Sequence, residues 1–411
     1  MRPLEGIRII DLTTFLAAPA SVRVLGEWGA DIIKVEAPNG DPARTQASVF
    51  HMPYSDEENV AFDVANMNKR FITINLKNPA GRKVLFDLLA TADVFVTNNR
   101  TKALQRLGIS YDDLKERFPL LIYAQILGYG DKGPEKDAPG FDATAYVCRG
   151  GLLGSMHERG ETPINAVNGF GDFQASFCLA SGILAALIGR EKTGRGDRVT
   201  VSLQHTALFM MNIGVVSSQY GNRYPKSRRE VPCPTNCTYK TKDGRWLVIC
   251  IPEYDKNFNK VMRLIGREDL ADHPRYGDLN HVNAHGLTAE IVDIISDEFA
   301  RMTVKEAVTL FKSADFAIEP GVTPDEILED EQAWANDALR RQRYPSGNDR
   351  IVVTTPVRFR SVGDAPLKIT AAQGSNTLEI LEESGYSGED IERLLEDGAV
   401  EGVKRLLPRE L

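Results

Sequence analysis

The chain has 411 residues, of which 42% are hydrophobic, 8% aromatic and 26% charged, the balance of an ordinary soluble globular protein. Disorder, collagen and small disulfide scaffolds are thereby excluded. The 49 basic and 57 acidic residues leave a formal charge of −8, which argues against a general polyanion binder: any bound phosphate must meet a local basic patch.

At roughly 100–200 residues per domain the length suggests two or three domains. The five cysteines are an odd number, and the opening MRPLEGIRII has no signal-peptide pattern, so a reducing cytoplasm is expected. The apolar stretches Phe173–Gly189 and Val199–Asn222 read as core elements of a soluble protein, because the first is short and the second carries Gln204, His205, Asn212, Ser217 and Gln219. Neither a membrane nor a nucleic acid is an expected partner.

In chain order, the pattern predicts strand Ile7–Leu12, helix Pro19–Glu27 and strand Asp31–Val35. Strand Phe71–Leu76, helix Ala80–Leu89 and strand Val94–Thr97 follow. Helices are expected at Ala103–Leu107 and at Tyr111–Arg117, the latter opened by a Ser110/Asp113 capping box, before the apolar strand Leu120–Leu127. This βαβ rhythm implies a parallel sheet wrapped by helices. An uncharged helix, Phe173–Ile188, precedes strand Val199–Leu203 and another buried helix.

From about residue 222 the texture changes. A hairpin turning at Asp243-Gly244 and helices at Lys256–Ile265, Leu287–Arg301 and Val304–Ser313 suggest a smaller α+β domain over 225–330. A strand at Ile351–Thr354 and a capped helix at Ser387–Leu395 close the chain.

Glu36 ends the second strand of the opening βαβ unit, as in dinucleotide-binding folds. The preceding loop, Thr13 to Ser21, has no glycine through which a backbone could approach a pyrophosphate, so NAD binding is disfavoured. Cys233/Cys237 and His281/His285 have zinc-like pair spacings, but 43 residues separate the pairs, against about 12–15 in compact fingers. They read as loop or buried cysteines and surface histidines, and no metal is expected.

The run Val167-Asn-Gly-Phe-Gly-Asp172 sets two glycines ahead of an aspartate that opens the uncharged helix. As an N-cap, Asp172 would contribute about 1 kcal/mol. As a nucleophile, it would have one face left open by the glycines and would be kept ionised by the helix N-terminus. The two roles are compatible. Asn68-Lys-Arg70, Lys77, Arg100, Lys102 and Arg106 form a basic cluster near predicted strand ends, where parallel sheets bind ligands, and together could hold a phosphorylated one.

Several segments then resemble one family in order and spacing. Leu4-Glu-Gly-Ile-Arg-Ile-Ile-Asp-Leu-Thr13, Ala18-Pro19 and Gly29 through Arg44 look like the start of a class III coenzyme A transferase, the formyl-CoA transferase and carnitine CoA-transferase family. Asn75-Leu-Lys77, Arg106-Leu-Gly108, Gly128-Tyr-Gly130, Gly140-Phe-Asp142, Gly171-Asp172 and Thr193-Gly-Arg-Gly-Asp197 agree with it. The Gly-Phe-Asp and Asn-Gly-Phe-Gly-Asp segments, with Asp330 to Asp337, are most similar to the transferases for 2-hydroxy acids in anaerobic amino-acid fermentation, such as phenyllactate and 2-hydroxyisocaproate.

The resemblance implies a Rossmann-like large domain built from both chain ends (1–224 and 331–411), a small domain between them, and an interlocked homodimer. It implies Asp172 as catalytic nucleophile, working through aspartyl anhydride and aspartyl-CoA thioester intermediates. Acyl-CoA and a small carboxylic acid would be the substrates, with no prosthetic group or metal. Positions matching the family's CoA contacts are Leu16, Ala17, Ile74, Asn75, Leu76, Lys77, Asn98, Asn99, Arg100, Arg106, Leu127, Gly128, Tyr129 and Gly130.

Three departures stand out. Ala37 replaces a basic family position, Gly130 replaces a glutamate, and the glycine-rich loop that covers the aspartate in formyl-CoA transferase has no counterpart. The rival within the fold is an α-methylacyl-CoA racemase, which needs an acid/base group on each face of the substrate. Its histidine position is Phe141 here, which carries no proton. A non-catalytic CoA-binding module is the alternative from another class.

Overall fold

The computed structural model describes residues 1–363 and 366–406. Among the described residues twelve strands run in chain order: β1 (Arg8–Leu12), β2 (Asp31–Glu36), β3 (Arg70–Ile74), β4 (Val94–Thr97), β5 (Ile122–Leu127), β6 (Arg198–Ser202), β7 (Asn236–Lys240), β8 (Trp246–Cys250), β9 (Ile318–Pro320), β10 (Leu339–Arg343), β11 (Asp349–Val353) and β12 (Val400–Glu401). Seven of them form the main sheet, in the order β12-β3-β2-β1-β4-β5-β6. All neighbours in it are parallel except β12, which pairs antiparallel with β3 through Val400 and Ile74.

The chain divides into two compact units. One comprises residues 1–153, 164–215 and the described residues from Glu331 onward; the other comprises 154–163 and 216–330. In the first, the central strands are buried on both faces, which explains apolar stretches such as Ile32-Ile33, Val94-Phe95-Val96 and Ile126-Leu127. One face packs on helices Ala17–Glu27 and Phe170–Thr193, whose small residues Ala17, Ala18, Ala175 and Ala180 belong to one core. The other face joins Leu85 and Leu88 of helix Pro79–Leu89 to Ile380, Leu381, Ile391, Leu394 and Val400 from the C-terminal segment. The second unit carries the three-stranded antiparallel sheet β7-β8-β9 against a core that includes Phe258, Ile291, Phe299 and Phe311.

Most strand and helix expectations fall within a few residues of the observed elements. The third strand ends at Ile74 rather than Leu76, because Asn75 turns the chain: its Oδ1 accepts the Lys77 N–H, and Asn78 then caps the next helix. The helix expected at Phe173 begins at Phe170, after Gly169 in the left-handed conformation at φ +80°. By length and composition Phe170–Thr193 could cross a membrane, but seven of its residues, Gly171 through Leu187, are buried within the protein. Strand β10, strand β12 and helix Thr377–Glu383 are not expected from the sequence pattern.

Beneath the carboxyl ends of β1 and β2 lies a dry network of charge. Lys69 pairs with Asp11 at 2.8 Å, and Lys34 pairs with Asp41 at 2.9 Å, all four side chains fully buried. Glu36 takes a bidentate grip from Arg44, both contacts at 2.8 Å. Burial alone would push Asp11 and Glu36 upward, but Lys69 and Lys34 around the first and Arg44 at the second hold both carboxyls below the usual range. Removing one member leaves an uncompensated charge. Lys69→Met is expected to cost about 3–5 kcal/mol in urea unfolding, and Lys69→Met combined with Asp11→Asn should recover part of that loss.

Candidate active site

In a doubly wound sheet, ligands sit outside the carboxyl ends of the strands where the strand order reverses. Here that point lies between β1 and β4. The two strand ends are tied together by side-chain amides. Asn98 Nδ2 donates to the Thr14 carbonyl at 2.7 Å, the Thr14 N–H donates to Asn98 Oδ1 at 3.0 Å, and Asn99 Nδ2 donates to the Leu12 carbonyl at 3.1 Å.

Two clefts open there and share Thr14 and Asn99. The larger, about 610 Å³, is lined by the ends of β1, β2 and β3, including Ile74, Asn75, Leu76 and Lys77, with Ala103 and Leu107. The smaller, about 240 Å³, is lined by Thr14–Ala17, Asn98–Arg100, Ile126–Gly128, Lys136, Ala138–Phe141, Leu203 and Asp172.

A close backbone contact shapes the smaller cleft. A Cβ on Gly128 or on Gly140 would lie 2.7 Å from the other's Cα, so only glycines let the loop before Phe141 approach the end of β5. Lys102, on helix Thr101–Leu107, pairs with Asp137 of that loop at 2.9 Å.

Asp172 is the third residue of its helix and does not cap it. The group at the helix start is Asp142, whose Oδ1 accepts the Gly171 N–H at 2.9 Å. Gly171 has no room for a side chain: a Cβ would stand 2.1 Å from the Tyr146 ring and 2.5 Å from Asp142 Oδ1. The glycine therefore packs a tyrosine and a carboxyl rather than opening a face of Asp172. Burial and the neighbouring Asp142 push the half-buried Asp172 carboxyl up to about 7. Where the helix N-terminus is expected to keep it ionised, burial and a like charge instead raise it, so that near neutral pH it is only partly ionised. Asp142 is also raised, by burial, against the backbone N–H groups of Gly171 and its neighbours.

Of the residues expected to contact CoA, the two clefts gather Leu16, Ala17, Ile74, Asn75, Leu76, Lys77, Asn98, Asn99, Arg100, Leu127 and Gly128. Three lie elsewhere. Arg106 is exposed on the helix whose Ala103 and Leu107 line the larger cleft, while Tyr129 lies against the Arg149 guanidinium and Gly130 turns at φ +96°.

The basic cluster divides. Lys69 is consumed by Asp11, and Arg70, at the opposite end of its strand, pairs with Asp31, Glu379 and Glu383. Only Lys77 and Arg100 of that cluster line a cleft, and Lys136 joins them. Lys136, Phe15 and Phe141 also line the smaller cleft, and the sequence gives no sign of it, since loop residues far apart in sequence carry no periodic signal. Among the described residues no group of three or more His, Cys, Asp or Glu is placed to hold a metal. His281 and His285 stack on each other at 4.0 Å, and Cys237 donates to the Arg228 carbonyl.

The family model described as CoA-transferase family III matches residues 4–371. The chain belongs to that family. It is 43% identical over 396 residues to the cinnamoyl-CoA:phenyllactate CoA-transferase of Clostridium sporogenes, covering 96% of each chain. It is 43% identical over 388 residues to the (R)-2-hydroxy-4-methylpentanoate CoA-transferase of Clostridioides difficile, covering 94% of this chain and 97% of that one. The fold matches the crystal structure of a CAIB/BAIF family protein from Brucella suis with a TM-score of 0.77 at 25% identity, covering 93% of this chain and 99% of that one. The protein is thus a family III CoA-transferase that uses CoA thioesters.

A carboxyl whose folded pKa lies above its unfolded value costs stability as pH rises between the two, here from about 4 to about 7. Asp172→Asn is therefore expected to melt above the parent protein at pH 8, with the gain disappearing at pH 4. Asp142→Asn removes the neighbouring charge and should move the Asp172 midpoint downward, read from the pH dependence of carbodiimide labelling.

Proposed function

We propose that this CoA-transferase moves CoA from an acyl- or enoyl-CoA to a small 2-hydroxycarboxylate, with Asp172 as nucleophile. The observation that carries the reading is a carboxyl of raised pKa in the wall of the cleft at the sheet's reversal point. A more basic carboxylate is a stronger nucleophile, and a value near 7 leaves a large ionised fraction at neutral pH.

The carboxylate adds to the thioester carbonyl; the C–S bond breaks, and CoA thiolate leaves from a mixed anhydride. The thiolate then attacks the aspartyl carbonyl, releasing the donor acid and leaving an aspartyl-CoA thioester. The acceptor carboxylate displaces CoA thiolate to give a second anhydride. Thiolate attack on the acceptor's carbonyl yields the product and restores Asp172. Each activated acyl group is conserved, so water must be kept away.

The nucleotide end of CoA is assigned to the larger cleft beside Lys77, the pantetheine to the passage between Thr14 and Asn99, and the thioester to the smaller cleft. Arg106 is assigned to a CoA phosphate from its helix beside the larger cleft. The acceptor class follows the two relatives that act on phenyllactate and 2-hydroxy-4-methylpentanoate. No prosthetic group is required.

A homodimer is part of the proposal: Phe170, Ile188, Phe209 and Ile213 leave large apolar side chains in water, the last 80% exposed, as expected of a surface that a partner covers. Cytoplasmic residence is proposed with it.

A donor and acceptor panel read by mass spectrometry tests the reading. Asp172→Ala should lower turnover by roughly 10³-fold or more, and hydroxylamine should trap Asp172 as a hydroxamate only when acyl-CoA is present. For the parent enzyme kcat/KM should rise with pH to a plateau, with a midpoint near 7. Near-normal turnover by Asp172→Ala would overturn the assignment. Solvent deuterium entering the α-position without an acceptor acid would point to racemisation instead. Arg106→Ala should weaken CoA binding about tenfold more than it weakens binding of a pantetheine analogue, if it meets a phosphate.

A further inference from the structure

We infer that Phe15 and Phe141 form an aromatic clamp that selects apolar acyl groups at the thioester end of the cleft, an inference that rests on the transferase reading above. Both side chains line the cavity that contains Asp172, and their rings meet edge to face at 5.8 Å and 86°. That geometry is a favoured aromatic pairing.

The backbone that carries each ring is held by a separate device. Phe15 has φ +65°, a conformation that bulky side chains avoid. It is kept there because its N–H donates to Asp41 Oδ1 at 3.2 Å, and Asp41 is fixed in turn by the fully buried Lys34. Thr14, the preceding residue, is clamped by Asn98. Strain of this kind persists only where the surroundings over-determine it, and it concentrates at functional sites. Phe141 follows Gly140, whose Cα nearly touches Gly128, and its N–H donates to Thr144 Oγ1 at 3.1 Å.

Despite this fixation, Phe141 is 56% exposed. An aromatic edge on a fixed backbone, exposed at the mouth of a small cavity and braced by one ring contact, offers apolar area that a bound group can cover with little reorganisation. Leu16, Ile126, Leu127 and Leu203 continue the apolar wall. The ligand feature that fits is an aryl or branched alkyl substituent on the acyl chain.

Unreactive thioethers separate this inference from the chemistry. The binding of S-(3-phenylpropyl)-CoA and S-ethyl-CoA would be compared by calorimetry for the parent protein, Phe141→Ala and Phe141→Leu. The parent should bind the phenylpropyl thioether about tenfold tighter than the ethyl one. Phe141→Ala should remove most of that ratio while leaving S-ethyl-CoA within about twofold, and Phe141→Leu should keep an intermediate ratio.

An unchanged ratio in Phe141→Ala, or a parent protein that does not discriminate, would overturn the inference. Equal weakening of both thioethers would assign Phe141 to the scaffold and also overturn it. Because no bond is made or broken, a failure of the transferase reading in the donor and acceptor panel would leave this comparison readable.

Discussion

The site depends on charges that have no contact with water. Lys69–Asp11 and Lys34–Asp41 sit under the carboxyl ends of two adjacent parallel strands, and such pairs are poor sources of stability because desolvation consumes their attraction. What they supply is position. Lys34 also donates to the Thr13 carbonyl, Lys69 to the Pro19 carbonyl, and Asp41 accepts from Phe15. The loop after β1 therefore holds a fixed, partly strained course without the glycines that a phosphate-binding loop uses. Its walls are formed by side chains, Phe15 and Leu16 among them, rather than by approaching backbone.

The same logic operates on the other side of the cleft, with glycine in place of charge. Gly128 against Gly140, and Gly171 against Tyr146, are contacts in which a single methyl group would have to displace its neighbour. They bring together the end of β5, the Phe141 loop and the start of the Asp172 helix. Asp142 completes that junction by accepting the Gly171 N–H while its charge raises its neighbour. Organisation of the helix start and the upward shift of Asp172 are thus two effects of one carboxyl.

Periodicity exposes the architecture because strands buried on both faces are mostly apolar, and the helix that carries Asp172 is uncharged along the stretch that buries its face. It does not reveal the environment of Asp172. A sequence displays the helix N-terminus beside the aspartate; it does not display Asp142, thirty residues earlier, folded against the same turn. The basic cluster misled for a similar reason. Asn68-Lys-Arg70 lies at the start of its strand, where Lys69 is sequestered by Asp11 and Arg70 by three carboxylates, and only burial and direction distinguish such residues from Lys77 at the strand's other end. Strand β12 is two residues long and carries no alternation to detect.

With Lys69 and Arg70 committed elsewhere, a chain of net charge −8 presents a polyanionic cofactor with few cations: Lys77, Arg100 and Lys136 along the clefts, and Arg106 beside them. On the proposed reading, long-range attraction contributes little to encounter, and phosphate contacts to the shared CoA moiety cannot distinguish one acyl-CoA from another. Discrimination must therefore come from the only part of the substrate that varies, the acyl group, and hence from the end of the cleft where Asp172 stands. Phe15, Leu16, Ile126, Leu127, Phe141 and Leu203 give that end an apolar part of its wall beside the polar Asn98, Arg100 and Lys136, and burial there leaves the aspartate poorly solvated. On that reading, the desolvation that raises Asp172 and the apolar surface offered to the acyl group belong to one cleft.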